Sequence, residues 1–524
     1  MQFEFIIPDG MDIEDLQARL QEASRIHTEP VHSVRRTFYD SFDWRLFHAG
    51  MVLQTDRDGN SWQLQWRPHN GRSQPASLTL PGEPHFARDI PAGPLRSELE
   101  AVLEMRELVP LLTITSKVHT LRILNRDEKT VARVLLEENR MPRRKASHAS
   151  GIGNRAIVLP VRGYQKAANK LIRILEAQGL AAATQDPLLH ALAVSGQEPG
   201  NYSSKLNLQL EPQQRADQAS RTIYKRLLDI IRENEAGTRQ GTDTEFLHDF
   251  RVSIRRTRSA LSQIKGVLPA PVLQRYKNEF AWLGQMTSPM RDLDVYLLTF
   301  DDYKHSLPAS AQADIEPLRD FLLRHQAIEH RALLKALDSA RYCRLIEGWA
   351  SFLEKPVNER STLPNARRPI YELACERIWK VYKGILKEGR AITADTPAEA
   401  LHELRKTGKK LRYLMEFFQS LFPADKIKEL IGVLKMLQNN LGDFQDYEVQ
   451  VHTLKQFSRQ MVDENAAPPE TLLSMGMLIE GLEQRQHRAR EEFAERFQTF
   501  SAEENREHFR ELFTGCSAKK DTLQ

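Results

Sequence analysis

Two segments of the chain carry basic residues in the same pattern. The segment LHDFRVSIRRTRSAL begins at Leu247, and the segment LHELRKTGKKLRYLM begins 154 positions later at Leu401. The basic residues that coincide at this offset are His248, Arg251, Arg255, Arg256 and Arg258 in the first segment and His402, Arg405, Lys409, Lys410 and Arg412 in the second. Arginine binds phosphate through two parallel hydrogen bonds, and lysine adds a point charge. The repeated pattern therefore predicts a binding site for phosphate groups.

The spacing places most of these side chains on one face of a helix. Positions 0, +3, +7 and +10 of an α-helix fall within an arc of roughly 80°. The residues that meet this spacing are His248, Arg251, Arg255 and Arg258, and again His402, Arg405, Lys409 and Arg412, with Lys406 beside them. A solvated charged face is the plain alternative. The recurrence of the same spacing at the same offset favours binding.

The repeat extends beyond the basic segments. At the same offset, Leu283 matches Leu437 and Asp292 matches Asp446. The C-terminal part of the chain is therefore predicted to consist of two related halves. Like charges on one helical face repel one another, and a bound anion relieves this repulsion. Two such helices would form one long positive channel, which suits a linear polyanion better than a single phosphate.

The two parts of the chain differ in their hydrophobic patterns. Up to about Leu192, short runs alternate apolar and polar residues, which is typical of strands. The predicted strands are 3–7, 51–55, 62–66, 118–123, 130–136 and 156–161, and the predicted helices are 13–25 and 165–178. Further along, long segments repeat with a period near 3.6, which is typical of helices. The predicted fold is an α+β domain dominated by antiparallel strands, followed by a domain that is nearly all helix.

The predicted domain boundaries follow from these changes of pattern. Residues 1–194 form the first domain, and residues 217–516 form the helical domain. Residues 195–216 are polar, contain two prolines and are predicted to be a linker. Residues 517–524 are predicted to be a tail.

Composition and charge indicate where the protein acts, but they do not identify the molecule it binds. The 74 basic and 70 acidic residues almost cancel, so the net charge of +4 does not by itself require a polyanion. The N-terminus lacks the pattern of a secretory signal, and no apolar run is long enough to span a bilayer. The three cysteines form no C-x-x-C motif, which predicts neither a disulfide framework nor a metal site. We expect a soluble cytoplasmic protein with no membrane partner, no metal and no cofactor.

The repeated H-x-x-R-x-x-x-R-R-x-R pattern, followed by R-D-L-D, resembles the CHAD domain (conserved histidine α-helical domain). The resemblance covers roughly residues 217–515. It implies two pseudo-symmetric helical bundles around a basic pore that binds inorganic polyphosphate. The basic residues of both segments would be the binding positions. Asp292, Asp294 and Asp446 would be structural partners of these bases rather than catalysts. The resemblance also suggests an association with polyphosphate granules.

The segment FYDSFDWRLFHAGMVLQ, residues 38–54, resembles the CYTH family of triphosphate tunnel enzymes. The resemblance implies an antiparallel β-barrel or tunnel-like domain. Active members hydrolyse or cyclise triphosphates, with basic residues that hold phosphate and carboxylates that hold divalent metal. Several of these positions differ here, since the chain reads Gln2-x-Glu4-x-Ile6, Gln54-x-Asp56 and Val158-x-Pro160. A two-metal site needs carboxylates from several strands. The sequence therefore predicts a degenerate domain with no catalytic residues.

The sequence thus favours polyphosphate binding by the helical domain, with a non-catalytic first domain. The alternative is an inorganic triphosphatase that acts through the CYTH-like domain with altered ligands. A third reading is nucleic-acid binding by the basic helices. Few aromatic residues accompany them to stack on bases, so nucleic acid is not the predicted partner. The sequence does not determine the oligomeric state or the length of polyphosphate bound.

Overall fold

The computed structural model describes residues 3–69, 76–141 and 152–514. The chain divides into two compact units, Met1–Ser204 and Lys205–Gln524. The first unit is built on an antiparallel sheet and the second on helices, which confirms the predicted fold class. The predicted tail, residues 517–524, and position 516 lie outside the described residues.

Within its described residues, the first unit contains ten strands and five α-helices. The strands are β1 (Phe3–Ile7), β2 (Ile26–Thr28), β3 (His32–Asp40), β4 (Met51–Asp58), β5 (Ser61–Pro68), β6 (Ala76–Leu80), β7 (Val109–Leu124), β8 (Thr130–Arg140), β9 (Asn154–Pro160) and β10 (Ala181–Ala182). The helices are α1 (Ile13–Ala23), α2 (Arg45–His48), α3 (Pro94–Leu103), α4 (Gln165–Ala177) and α5 (Pro187–Val194).

All strand pairs of this sheet are antiparallel, in the order β10-β1-β9-β8-β7-β3-β4-β5-β6, with β2 beside β7. Side chains alternate between the two faces of a strand. One face carries the apolar residues of β1, β7, β8 and β9, which pack against α1 and α4. The other face carries charged and amide side chains from six strands.

The second unit is all-helical within the described residues. Its helices are α6 (Ala216–Gln240), α7 (Thr244–Gln263), α8 (Ala270–Met286), α9 (Ser288–Leu298), α10 (Phe300–Ser306), α11 (Glu316–Leu337), α12 (Ala340–Glu354), α13 (Ile370–Arg390), α14 (Ala398–Phe418), α15 (Ala424–Asp463), α16 (Pro469–Phe500) and α17 (Glu503–Thr514).

The sequence repeat reappears in the positions of the helices. The helices α6, α7 and α8 begin at residues 216, 244 and 270, and α13, α14 and α15 begin at residues 370, 398 and 424. Each pair of starts differs by 154, which is the offset between the two basic segments. The two halves therefore share three helices in the same order, and this confirms the prediction that the helical part is an internal duplication.

The halves then differ at one place. The helix α8 ends at Met286 and α9 begins at Ser288, whereas α15 runs without a break through the equivalent residues. Pro289 follows the break, and the residue 154 positions later is Asp443. Proline has no N–H to donate and its ring clashes with the preceding turn of a helix. The break is therefore a consequence of this one sequence difference.

The segment predicted as a linker is partly built into the helical core. Leu206, Leu208 and Leu210 are buried there, next to residues of α6 and α13. They alternate with polar residues, so an extended chain can bury all three on one side. The helical unit accordingly extends N-terminal to α6.

Two further findings concern the cysteines and the membrane. Cys375 on α13 is buried and takes part in a disulfide bond. The sequence predicted no disulfide framework, and no spacing of the cysteines indicated this bond. Among the described residues, no helix combines the length and the apolar character that crossing a membrane requires.

Candidate functional site

The two basic segments form α7 and α14, which pack against each other. Asp243 caps the start of α7, since its carboxylate accepts the N–H groups of Glu245 and Phe246. The apolar faces predicted from the sequence enter the core, where the buried residues are Phe250, Ile254 and Leu261 of α7 and Leu404 and Leu411 of α14. The faces of α7 and α14 that point away from the core therefore carry the basic side chains.

A cavity of about 730 Å³ lies where the halves meet. Its basic lining residues come from both halves and are His248, Arg251, Arg255, Arg291, His325 and Arg405. Four pairs of its residues are equivalent in the repeat, namely Arg251 and Arg405, Asp292 and Asp446, Val295 and Val449, and Tyr296 and Gln450. The cavity is thus lined by matching positions of the two halves.

Arg251 is held by neutral acceptors at the break between α8 and α9. Its Nη1 donates to the carbonyl oxygen of Gly284 at 3.2 Å, to Thr287 Oγ1 at 2.8 Å and to Ser288 Oγ at 3.0 Å. Burial lowers the pKa of Arg251 to about 10, and the positive charges of nearby arginines act in the same direction. The guanidinium is therefore fixed in place by neutral oxygens, while the negative charge of nearby Asp292 favours its charged form without forming an ion pair with it.

Arg405, the equivalent residue of the second half, has a different partner. Its Nη2 donates to Asp446 Oδ1 at 2.9 Å. Asp446 is 59% exposed and extends from the uninterrupted α15. This pair confirms that one of the predicted acidic residues contacts a predicted base. Asp294 instead accepts a hydrogen bond from Gln326 at 2.7 Å and is buried.

Four of the predicted basic residues form no ion pair or hydrogen bond within the described part of the chain, and these are Arg255, Arg258, Lys409 and Lys410. Lys409 is partly buried, and burial together with the charges of Arg405 and Arg255 lowers its pKa to about 8. Bringing unneutralised cations together costs free energy. An anion in the cavity would reduce that cost.

The side chains of the remaining predicted basic residues contact other side chains of the helical unit. Arg256 of α7 and Arg412 of α14 both bind Glu416, at 3.0 Å and 2.7 Å, and so the carboxylate links the two helices. Lys406 pairs with Glu403 at 2.8 Å. His402 contacts Gln445 through Nδ1. None of these residues lines the 730 Å³ cavity.

The sequence reasoning missed Arg291, which lines the cavity. Its Nη1 donates to the carbonyl oxygen of Thr244 at 3.0 Å, and its Nη2 lies 3.6 Å from Glu245 Oε1. Arg291 is the arginine of the R-D-L-D motif. In that motif, the sequence predicted a role only for Asp292 and Asp294. The position 154 residues later holds Gln445, so the repeat gave no signal for it.

The charged face of the sheet in the first unit forms a chain of ion pairs. Arg36 of β3 donates to Asp56 Oδ1 at 2.9 Å and lies 3.3 Å from Glu137 Oε1 of β8. Arg155 of β9 lies opposite Glu137 in register and binds Glu4 of β1 at 3.1 Å. Acidic and basic side chains therefore alternate across the sheet, and each arginine already has a carboxylate partner.

The carboxylates of this face also have arginine partners. Glu137 is 2% exposed and both of its oxygens face Arg36. No cluster of three or more potential metal ligands occurs among residues 3–69, 76–141 and 152–514. In the CYTH-like segment, Asp40 accepts the N–H groups of Ser41, Leu46 and Phe47, so it fixes the turn into α2. Its pKa is raised to about 6 by burial.

Two curated proteins resemble part of the chain. Two uncharacterized proteins from strains of Mycobacterium tuberculosis are 26% identical over 310 residues, which cover 56% of this chain and 57% of theirs. The chain thus spans about half the length of the curated relatives it matches.

Two solved structures each resemble part of the chain. The CHAD domain of the plant Ricinus communis is 23% identical, covers 56% of this chain and 94% of its own, and superposes with a TM-score of 0.48. A putative adenylyl cyclase from Hippeastrum, described as having a dominant triphosphatase activity, is 12% identical. It covers 38% of this chain and 99% of its own with a TM-score of 0.26. The model of the CHAD domain family matches residues 222–455, which lie within the helical unit.

Proposed function

We propose that the helical unit binds inorganic polyphosphate in the channel between α7 and α14. The observation that carries the proposal is the cavity lined by Arg251 and Arg255 of one half and by Arg405 of the other. A linear polyanion that contacts both halves neutralises Arg255, which forms no ion pair within the described residues, and adds a negative charge beside Arg251 and Arg405. Phosphate oxygens accept charge-assisted hydrogen bonds from guanidinium groups, each contributing about 1.5–3 kcal/mol.

The binding positions proposed from the sequence divide into two groups. Arg251, Arg255, Arg405 and Lys409 are proposed to contact phosphate directly, together with Arg258, Lys410 and the cavity-lining His248. Arg256, Arg412 and His402 are proposed to hold the helices in place through Glu416 and Gln445. Lys406 is proposed to contribute charge at the rim. Association with polyphosphate granules is part of the same proposal.

The direct test is charge reversal at equivalent positions. Arg255→Glu and Lys409→Glu should each weaken the binding of long-chain polyphosphate to the full chain, and the double variant should abolish it in calorimetric titrations. The matched control is Lys428→Glu, an exposed lysine of α15 outside the cavity. Unchanged affinity in the double variant, with the helical fold intact by circular dichroism, would falsify the proposal.

We further propose that the first unit is not catalytic. Its arginines and carboxylates are consumed by the alternating ion pairs that join Glu4, Arg155, Glu137, Arg36 and Asp56. A triphosphate would have to displace these buried carboxylates from arginine. We expect no release of phosphate from tripolyphosphate above background with Mg²⁺ or Mn²⁺. Turnover that Glu4→Gln or Glu137→Gln abolishes would establish the triphosphatase alternative instead.

A further inference from the structure

The wall of the cavity in the helical unit combines basic and uncharged side chains. Arg251, Arg255 and Arg405 are among the basic ones. The rest of the wall includes Val295 of α9 and Val449 of α15, and the amide side chains of Gln450 and Gln456. A chain made only of phosphates has charges along its whole length. Valine and glutamine side chains do not neutralise those charges.

The two valines are unusual because both are exposed. Val295 is 36% exposed and Val449 is 49% exposed, although each lies on a helix that packs against the core on its other side. They occupy equivalent positions of the two halves, 154 residues apart. Exposed apolar surface that lines a cavity gains free energy when an apolar group covers it. Matching valines from both halves offer such surface to a planar ring.

Glu329 of α11 adds a carboxylate to the same cavity. It forms no ion pair or hydrogen bond within the described residues. A carboxylate repels a phosphate chain, but it accepts hydrogen bonds from the hydroxyl groups of a ribose, as acidic residues do in dinucleotide sites. Glutamine side chains likewise offer both a donor and an acceptor to the edge of a base.

We propose that this cavity binds a nucleoside polyphosphate, with its phosphates on the arginines and its nucleoside against Val295, Val449 and Glu329. The inference rests on the proposed function, because it uses the same arginines for the phosphates. The cavity volume of about 730 Å³ lies within the range of roughly 300–1,000 Å³ that is usual for small-molecule sites.

The test compares ATP with inorganic tripolyphosphate, since both carry three phosphates. Each is titrated into the full chain by calorimetry, without divalent metal and at fixed ionic strength. If charge alone decided binding, tripolyphosphate would bind at least as tightly as ATP. We expect ATP to bind about tenfold more tightly, which corresponds to the stabilisation that one well-packed base supplies.

Two variants separate the contributions of the valines and of Glu329. Val295→Ser combined with Val449→Ser should reduce the affinity for ATP much more than the affinity for tripolyphosphate. Glu329→Met should have opposite effects, because tripolyphosphate loses a repulsive charge while ATP loses the acceptor for its ribose. Val462→Ser is the matched control, since this valine is exposed on α15 but does not line the cavity.

The outcomes distinguish this inference from the proposed function. If ATP binds no better than tripolyphosphate, or if the valine variant leaves their ratio unchanged, the nucleoside site is wrong while polyphosphate binding stands. If Arg255→Ala weakens neither ligand, the phosphate site itself is wrong and both proposals fail. A preference for ATP that the valine variant removes and the control variant retains supports the inference.

Discussion

The two halves of the helical unit hold the same arginine in different ways. Arg251 donates to three neutral oxygens at the break between α8 and α9, whereas Arg405 donates to the exposed carboxylate of Asp446 on a continuous helix. The first arrangement keeps a full positive charge in a fixed position. The second places an anion where a phosphate would bind. An internal repeat can therefore conserve an arginine and still change whether that arginine is already paired with a carboxylate when a phosphate binds.

The largest expected difference is between the two arginines themselves. Arg251→Met should weaken polyphosphate binding by about tenfold to a hundredfold, because a fixed guanidinium contributes roughly 1.5–3 kcal/mol through charge-assisted hydrogen bonds. Arg405→Met should cost less, since this arginine must first leave Asp446. Calorimetric titration of both variants measures the difference. Equal losses would remove the distinction between the halves.

A second comparison concerns Arg255 and its equivalent Lys409. The pKa of Lys409 is lowered to about 8 by burial and neighbouring arginines, so this side chain loses its proton above that pH, whereas an arginine does not. Because a bound anion favours the charged lysine, polyphosphate affinity should be highest below about pH 8 and fall by up to about tenfold per pH unit above it.

The control for the pH effect is Lys409→Arg, which keeps the charge at all these pH values. Its affinity should stay nearly constant between about pH 7 and pH 9.5. A decline in this variant as steep as in the original chain would show that another group titrates. Such a result would contradict the assignment to Lys409.

A smaller effect is expected from the carboxylate that competes with the ligand. Asp446→Asn should strengthen polyphosphate binding by about twofold to fivefold, since exposed ion pairs contribute roughly 0.2–1 kcal/mol. Asp292→Asn changes the equivalent position, where no ion pair with Arg251 forms within 4.0 Å. If Asp446→Asn weakens binding instead, the carboxylate positions Arg405 rather than competing for it.

The smallest effect concerns packing between the repeated helices. In the first half Ile254 faces Gly284, and in the second half Gly408 faces Gln438, so the large and small residues have exchanged sides. A Cβ at position 408 would lie 3.4 Å from the Gln438 amide, which can shift. Gly408→Ala should therefore raise stability by up to about 1 kcal/mol through helix propensity.

The matched comparison for this packing effect is Gly237→Ala. Its Cβ would lie 2.3 Å from the ring of Phe246, so this variant should be clearly destabilised. Thermal unfolding of both variants tests the contrast. Destabilisation of Gly408→Ala to the same degree would show that the interface around Gln438 does not relax.

Much of the local structure was predictable from short-range patterns. The predicted strand 3–7 matches β1, and the predicted helices beginning at residues 13 and 165 begin there. The strand β3 was missed, although it supplies Arg36 to the centre of the charged face. Its side chains contribute to the packing on both sides of the sheet, so the simple alternation of apolar and polar residues is lost along part of its length.

For the site, as for the fold, the sequence predicted the features that depend on nearby residues and missed the contacts between distant ones. The helical spacing identified which faces of α7 and α14 are basic, because that periodicity is a property of the helix alone. It did not separate Arg255 from Arg256, although only the second is bound by a carboxylate on the other helix. The partner of Arg256 lies 160 residues away, and no local pattern can indicate such a contact.

The sequence by itself determined the duplication, its offset of 154, the dominant type of secondary structure in each part and the basic faces of two helices. These features depend on residues within a few turns of one another or on direct comparison of two segments. Only the tertiary structure decided which cations meet in one cavity and which are neutralised. It also decided that Arg36 and Arg155 of the first unit pair with carboxylates. Charge–charge free energies depend on distance and burial, and both are set by the packing of elements that are remote in sequence.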